Sequence, residues 1–217
     1  MNKKLLITVI SSVVLLIGLF FLGSKVFKAQ EAERVGFTAK NNFQTFVPEY
    51  SMRKGSPDAK VYVVEFFDPE CESCRKFHPF MHTLMEDYKG KIQVVMRYAA
   101  FHQNSLFAIK ILEASRKQNK YWEALEILFQ HQPEWGDHHY PRPELLWNFL
   151  PRLGIDIEKI KAEMDDPSIQ KIIDEDAKAA ELLGVRGTPT FFVNGKPLEQ
   201  YGPEYLRQAI ERELSSF

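Results

Sequence analysis

The sequence predicts an α/β protein: a strand–helix–strand unit, about eighty residues of helix, then a strand, a hairpin and a closing helix, all behind an apolar N-terminal helix. Three observations predict it. An uncharged run of eighteen residues, Leu5 to Leu22, opens the chain. Two runs rich in β-branched and aromatic residues, Val61–Phe67 and Ile92–Tyr98, flank an amphipathic stretch, as in a βαβ unit. Strand character then disappears until Thr190–Val193, where Asn194-Gly195 follows as a strong hairpin signal.

Composition narrows the class. The chain has 217 residues, 45% hydrophobic and 26% charged, which is ordinary globular material and excludes a disordered chain, a collagen or a disulfide-dense mini-protein. Its 28 Lys and Arg nearly balance 29 Asp and Glu, so no bulk positive field is available to hold nucleic acid. Cys71 and Cys74 are the two cysteines, and a pair so close in sequence acts locally instead of stapling distant segments.

The apolar run rises about 27 Å as a helix, close to the hydrocarbon thickness of a bilayer. Secretory apolar segments are shorter, roughly 7–15 residues, and end at a small-x-small cleavage site, which Gly23 to Ala29 matches poorly. Residues 1–28 therefore read as an uncleaved signal-anchor, with a cleaved, secreted form as the alternative. A buried soluble helix fits less well, because the run has no polar face. Lys3 and Lys4 bias the N-terminus to the cytoplasm, a bias that Lys25 and Lys28 blunt. The rest of the chain then lies in the periplasm or another extracytoplasmic space. Five Lys or Arg against two Asp or Glu give residues 1–35 a charge of +3, leaving −4 on the rest of a chain whose total is −1. Residues 29–45 are polar, lack apolar periodicity until Phe43, and read as a tether.

Ser51 to Ala59 holds Gly55, Pro57 and Asp58 and reads as a turn-rich lead-in. Val61–Phe67 is nearly continuous in apolar residues, which suits a strand covered on both faces. Asp68-Pro69 breaks it, and Phe77, Phe80, Met81, Leu84 and Met85 mark one face of the next helix. Lys89-Gly90 ends that helix before the strand Ile92–Tyr98. Helical spacing follows over 104–118, 121–131, 143–153 and 168–183, with a shorter helix over Asp156–Met164 and prolines 133, 141, 143, 151 and 167 between them. A short strand around Lys196–Glu199 and a helix over Glu204–Leu214 close the chain.

The chemistry sits in Cys71-Glu72-Ser73-Cys74. Two cysteines at this spacing on the first turn of a helix can close a small disulfide ring. Unpaired N–H groups at a helix N-terminus favour a thiolate, and the thiolate is the nucleophile. A free cysteine titrates near ~8.5, and roughly 3.5–7.5 is reached in such settings. Cys71, at the helix start, reads as the nucleophile and Cys74, one turn inward, as the resolving thiol. Glu72 opposes a thiolate and Arg75 and Lys76 favour it, so the direction of the net shift is open at this level. A zinc site is the rival reading of Cys71-x2-Cys74-x3-His78-x3-His82. Positions 74, 78 and 82 span about 12 Å of helix, too far for one ion to hold all four, which leaves Cys71, Cys74 and His78. The plainer reading of both histidines is a partly exposed helix surface. His138-His139 reads as a polar loop pair, and His102 and His131 take no role. The seventeen Phe fall mostly at core spacing, while Trp122, Trp135 and Trp147 lie in the helical segment, some placed to line a groove across from the cysteines.

Read with its flank, the segment Val63-Val64-Glu65-Phe66-Phe67-Asp68-Pro69-Glu70-Cys71-Glu72-Ser73-Cys74 resembles the strand-to-active-site region of the DsbA-like branch of the thioredoxin superfamily. A second match, Gly184-Val185-Arg186-Gly187-Thr188-Pro189-Thr190-Phe191-Phe192-Val193-Asn194-Gly195, looks like the cis-proline loop, strand and hairpin of that fold. The resemblance covers about residues 43–215. It departs in the dipeptide between the cysteines, Glu72-Ser73 where the best-studied oxidase pattern has Pro-His.

The resemblance implies a thioredoxin fold over 46–103 and 184–217 with a helical domain, 104–183, inserted between its halves. It implies that Cys71 and Cys74 form the redox couple, that Thr188 and Pro189 face them, and that Glu65 is a carboxylate buried beneath. An X-Pro bond needs only about 0.5–1 kcal/mol to be cis, and proline has no N–H, so the Thr188 backbone can lie beside the sulfurs. A plain trans turn at Thr188-Pro189 and a Glu65 pointing to water are the alternatives. The expected activity is thiol–disulfide exchange with protein substrates, reset by a membrane or soluble redox partner, with no small-molecule cofactor and its direction open. A thioredoxin-fold copper chaperone and a non-catalytic peptide-binding module are the rival functions.

Overall fold

The computed structural model of the chain describes residues 10–27, 30, 43–137, 139–198 and 200–217. Helix α1 (Ile10–Phe27) is exposed along its length and is long and apolar enough to cross a membrane. Residues 1–9 and 28 of the expected signal-anchor, residues 29 and 31–42 of the expected tether, His138, and Glu199 at the end of the expected last strand lie outside the described residues.

A five-stranded mixed sheet organises the rest. Its order is β1 (Met52–Gly55), β3 (Ile92–Tyr98), β2 (Val61–Phe67), β4 (Thr190–Val193) and β5 (Lys196–Pro197). β2 is central, parallel to β3 from Val61↔Ile92 to Phe67↔Tyr98 and antiparallel to β4 from Val63↔Val193 to Phe66↔Thr190. Side chains alternate along a strand, so β2 feeds both faces. Val61, Val63 and Phe67 enter one core with Phe77, Met81, Leu84 and Phe191, while Val64 and Phe66 enter another with Phe46, Val47, Val95 and Phe192. Glu65 is in phase with Val63 and Phe67, which sets it on the first of these faces. The hairpin forms as the sequence predicts, with positive φ at Asn194 (48°) and Gly195 (77°), as a tight primed turn requires. Asn194 also bonds back to the centre of the sheet through Tyr62 N–H, 2.9 Å from its side-chain oxygen.

The helix after β2 is α2 (Glu72–Asp87), which buries Cys74, Phe77, Met81 and Leu84. The helical segment comprises α3 (Ser105–Lys117), α4 (Tyr121–Gln130), α5 (Gln132–Trp135), α6 (Leu146–Phe149), α7 (Ile157–Glu163) and α8 (Pro167–Leu182), and α9 (Pro203–Leu214) closes the chain. Asp156 and Asp166 cap α7 and α8 by accepting from Lys159 N–H and Ser168 N–H. A buried ion pair ties α8 to the sheet: Arg97 Nε lies 2.6 Å from Asp176, which also accepts from Tyr50 Oη and the Tyr98 N–H.

Two expectations need correction. The lead-in over 51–59 contains β1, antiparallel to β3. Met52-Arg53-Lys54-Gly55 shows no apolar alternation because it is an edge strand, where charge is tolerated. Gly55 has φ +109°, and a Cβ there would sit 2.5 Å from the Ile92 carbonyl oxygen. The helix expected over 143–153 is broken into a 3-10 turn (Pro143–Leu145), α6, and a second 3-10 turn (Leu150–Leu153). Pro151 removes an N–H and crowds the preceding turn, and left-handed Gly154 ends the segment.

Candidate active site

The site is built where β2 runs out. Phe67 is its last residue, Asp68-Pro69-Glu70 turns the chain, and Cys71 takes the cap position of α2, so its sulfur lies at the helix mouth. Cys74, one turn on, faces the core. Cys71 retains 7% exposure and Cys74 none, and both are free thiols.

The turn is held by side chains that the sequence did not single out. Buried Asp68 accepts from the N–H groups of Glu70, Phe101 and His102, from the Ser105 hydroxyl at 2.7 Å, and pairs with His102 Nδ1 at 2.8 Å. Glu70 accepts from the N–H and side-chain amide of Asn104. From α5, the buried Gln132 amide donates to the carbonyls of Pro69 (2.8 Å) and Cys71 (3.0 Å), while its oxygen accepts from Arg75 Nε. The sequence marked Asp68-Pro69 only as a strand breaker and gave Gln132 no signal at all.

The loop Gly187–Thr190 returns to this point from the far end of the chain. The Thr188–Pro189 peptide is cis, and the Thr188 carbonyl oxygen is 3.3 Å from Cys71 Sγ. Ser73, Arg186, Thr188, Pro189 and Tyr201 line an open depression of about 500 Å³ beside the sulfurs. A second depression of about 380 Å³, between α3 and α8, is bordered by His102, Leu106, Ile173 and again Arg186. None of Trp122, Trp135 and Trp147 lines either one. Trp135 is buried with its Nε1–H on the Leu128 carbonyl, Trp147 stacks edge-on to Phe107, and Trp122 borders a small cavity that reaches Glu65.

The electrostatics divide the two thiols. A hydrogen bond from the Cys74 thiol does most to hold Cys71 down, burial works against it, and Thr188 and the N–H groups of Cys74 and Ser73 add to the lowering; Cys71 falls from 9.0 to about 5. Cys74 moves well above the ordinary thiol range, first through burial, then through its bond to Cys71 and the charge of Glu65. Glu65, in the central strand and 4% exposed, is pushed up to about 8 by burial and then by the Cys71 charge. For His102 partial burial opposes the charged form, but the Asp68 carboxylate outweighs it and its pKa rises. The flanking charges left open by the sequence are not among the main causes of the Cys71 shift; Arg75 Nε bonds the Gln132 amide oxygen, and Lys76 Nζ lies 3.5 Å from Glu72.

Of the residues singled out from sequence, Cys71, Cys74 and Thr188 meet directly, Pro189 follows in the cis peptide, and Glu65 lies close enough for its charge to act on both thiols. His78 and His82 turn to Glu126 of α4, and among the described residues no cluster of metal-binding atoms includes the cysteines. His131 stacks flat on Phe149. This arrangement can cycle between a dithiol and a disulfide, with one sulfur reachable and the other protected.

A family model described as Thioredoxin matches residues 48–212. The Na(+)/H(+) antiporter NhaA 3 of Salinispora tropica is 31% identical over 173 residues, 78% of this chain and 25% of that protein, so the chain spans about a quarter of the length of that relative. The probable disulfide bond formation protein D of Bacillus anthracis is 31% identical over 170 residues, 74% of this chain and 76% of that protein. The crystal structure of the thiol-disulfide exchange protein alpha-DsbA2 from Wolbachia pipientis matches with a TM-score of 0.70 at 21% identity, covering 83% of this chain and 96% of that one. The chain belongs to the thioredoxin family.

Proposed function

We propose that the protein is a membrane-tethered, extracytoplasmic thiol–disulfide oxidoreductase whose oxidised form donates its Cys71–Cys74 disulfide to protein substrates. The division of the two thiols carries this reading: Cys71 is held near 5 and Cys74 far above the ordinary range. Stabilising the Cys71 thiolate stabilises the reduced protein, and a couple whose reduced form is stabilised is oxidising.

In the forward direction a substrate thiolate attacks Cys71 Sγ of the disulfide. The S–S bond breaks toward Cys74, which leaves as a thiolate and is protonated. Glu65, whose burial favours the protonated form, supplies that proton in the closed interior. The second substrate thiolate then attacks the first substrate sulfur of the mixed disulfide and expels Cys71, a good leaving group because its thiolate is stabilised. Two substrate thiols are oxidised and the Cys71–Cys74 couple takes up the two electrons. A separate oxidant, a redox partner protein, restores the disulfide. Thr188 and Pro189 present backbone beside Cys71 for an extended substrate segment, with the adjoining depression to receive its side chains. Helix α1 holds the domain near the membrane, and residues 46–103 with 184–217 act as the redox module carrying 104–183 as an insertion.

The test is the equilibrium reduction potential of the couple against glutathione, with Cys71→Ser as control. A value toward the about −120 mV end of the thioredoxin-fold range supports donation, and one near about −270 mV reverses the direction. Exchange activity that persists in Cys71→Ser overturns the reading.

A further inference from the structure

We propose that His78, His82 and Glu126 form a binding site for one borderline divalent metal ion of the zinc type, separate from the dithiol. His78 and His82 lie four residues apart on α2, so their rings share a face one turn apart, and Glu126 reaches them from α4. The three atoms converge: His78 Nε2 is 3.1 Å from His82 Nε2 and 2.9 Å from Glu126 Oε1, and His82 Nε2 is 2.8 Å from the same oxygen.

Protons alone satisfy this triangle poorly. If both Nε2 atoms carry hydrogen, both donate to Oε1 but then face each other as two donors at 3.1 Å. If one is bare, its lone pair faces either the carboxylate oxygen or a donor already committed to that oxygen. A cation removes the conflict, because all three atoms then present lone pairs to it.

The dimensions fit. Zinc holds imidazole nitrogen at about 2.0–2.1 Å and carboxylate oxygen at about 2.0–2.2 Å, so three tetrahedral ligands sit about 3.3 Å apart. The triangle need open only by a few tenths of an ångström. The side chains of His82 and Glu126 are 46% and 48% exposed and free to move that far, while His78 is 14% exposed and set against the Phe129 ring. A cavity of about 30 Å³ beside the two histidines has room for a water as fourth ligand. Lys54, on the same cavity wall, opposes a cation, but Glu126 offsets its charge and its Nζ is drawn over Trp122. Two imidazoles and a carboxylate select zinc over magnesium or calcium. An ion there would pin the active-site helix to the inserted helical segment one turn beyond Cys74.

The test is titration of the oxidised full-length protein in detergent with Zn²⁺ alone, since the Cys71–Cys74 disulfide cannot then ligate. We expect one ion per chain, affinity reduced about tenfold or more in Glu126→Gln and in His82→Ala, and a nitrogen and oxygen shell by X-ray absorption. No one-to-one binding, equal affinity in both variants, or sulfur in the shell overturns the proposal. Disulfide exchange measured on the same variants keeps the two sites distinguishable, because neither residue touches the dithiol.

Discussion

Two sulfur atoms separated by one helical turn differ here because their surroundings differ. Cys71 collects donors at the helix mouth, whereas Cys74 is enclosed beside a carboxyl group and held as a thiol. Glu65 is the residue whose titration is most open to test. Its pKa is 4.5 ordinarily and about 8 in the fold. Between those values the unfolded chain has lost the proton that the native state retains, so stability falls as pH rises through the window and the full penalty applies above 8. Glu65→Gln carries no such penalty. Comparing the reduced proteins, in which Cys71 can carry its charge, the melting temperature of the variant should rise relative to wild type between about pH 4 and pH 9, by about 2–4 °C for each kcal/mol relieved. A difference that stays constant across that range would mean the carboxyl is hydrated. The cysteines, Glu65, Thr188 and Pro189 were legible in the sequence as two stretches of familiar pattern. Asp68, His102 and Gln132 were not, because each acts through contacts between segments more than thirty residues apart.

Among the elements, β2 and β3 were legible to the residue, since strands buried on both faces are mostly apolar and rich in β-branched and aromatic residues. The edge strand β1 and the broken helix at 143–153 were not. An edge strand is defined by what it pairs with, and apolar spacing does not register one missing N–H. The short helix α5 matters more than its four residues suggest. Gln132, at its start, bonds the carbonyls on either side of Glu70 and engages Arg75, so the insertion helps to set the turn that aims Cys71. Gln132→Ala leaves buried groups without partners and should destabilise the protein by about 1–3 kcal/mol, read from the urea midpoint at unchanged slope. The same variant should alter the pH profile of Cys71 alkylation. An unchanged profile would confine Gln132 to stability.

Across the whole molecule, the sheet has a core on each face, and the Arg97–Asp176 pair crosses from sheet to α8 with both side chains 1% exposed. Breaking such a pair typically costs about 3–5 kcal/mol, because the remaining charge is left buried. Helix α1 offers no polar face for packing. Removing residues 1–28 should therefore move the protein from the membrane fraction to the soluble fraction with its disulfide exchange intact. A truncated chain that aggregates, or stays with membranes, would reject the anchor.

By itself the sequence determined every strand but the edge strand β1, the hairpin, the placement of a dithiol at a helix start and the apolar leading helix. These are set by neighbouring residues: strand periodicity, turn preference and the unpaired N–H groups of a helix end. Only the tertiary structure decided the net direction of the Cys71 shift, chose the enclosed over the water-facing Glu65, and brought Glu126 to two histidines 44 and 48 residues before it in the chain. Burial and electrostatic coupling depend on distances in space, and those exist only once the chain has folded.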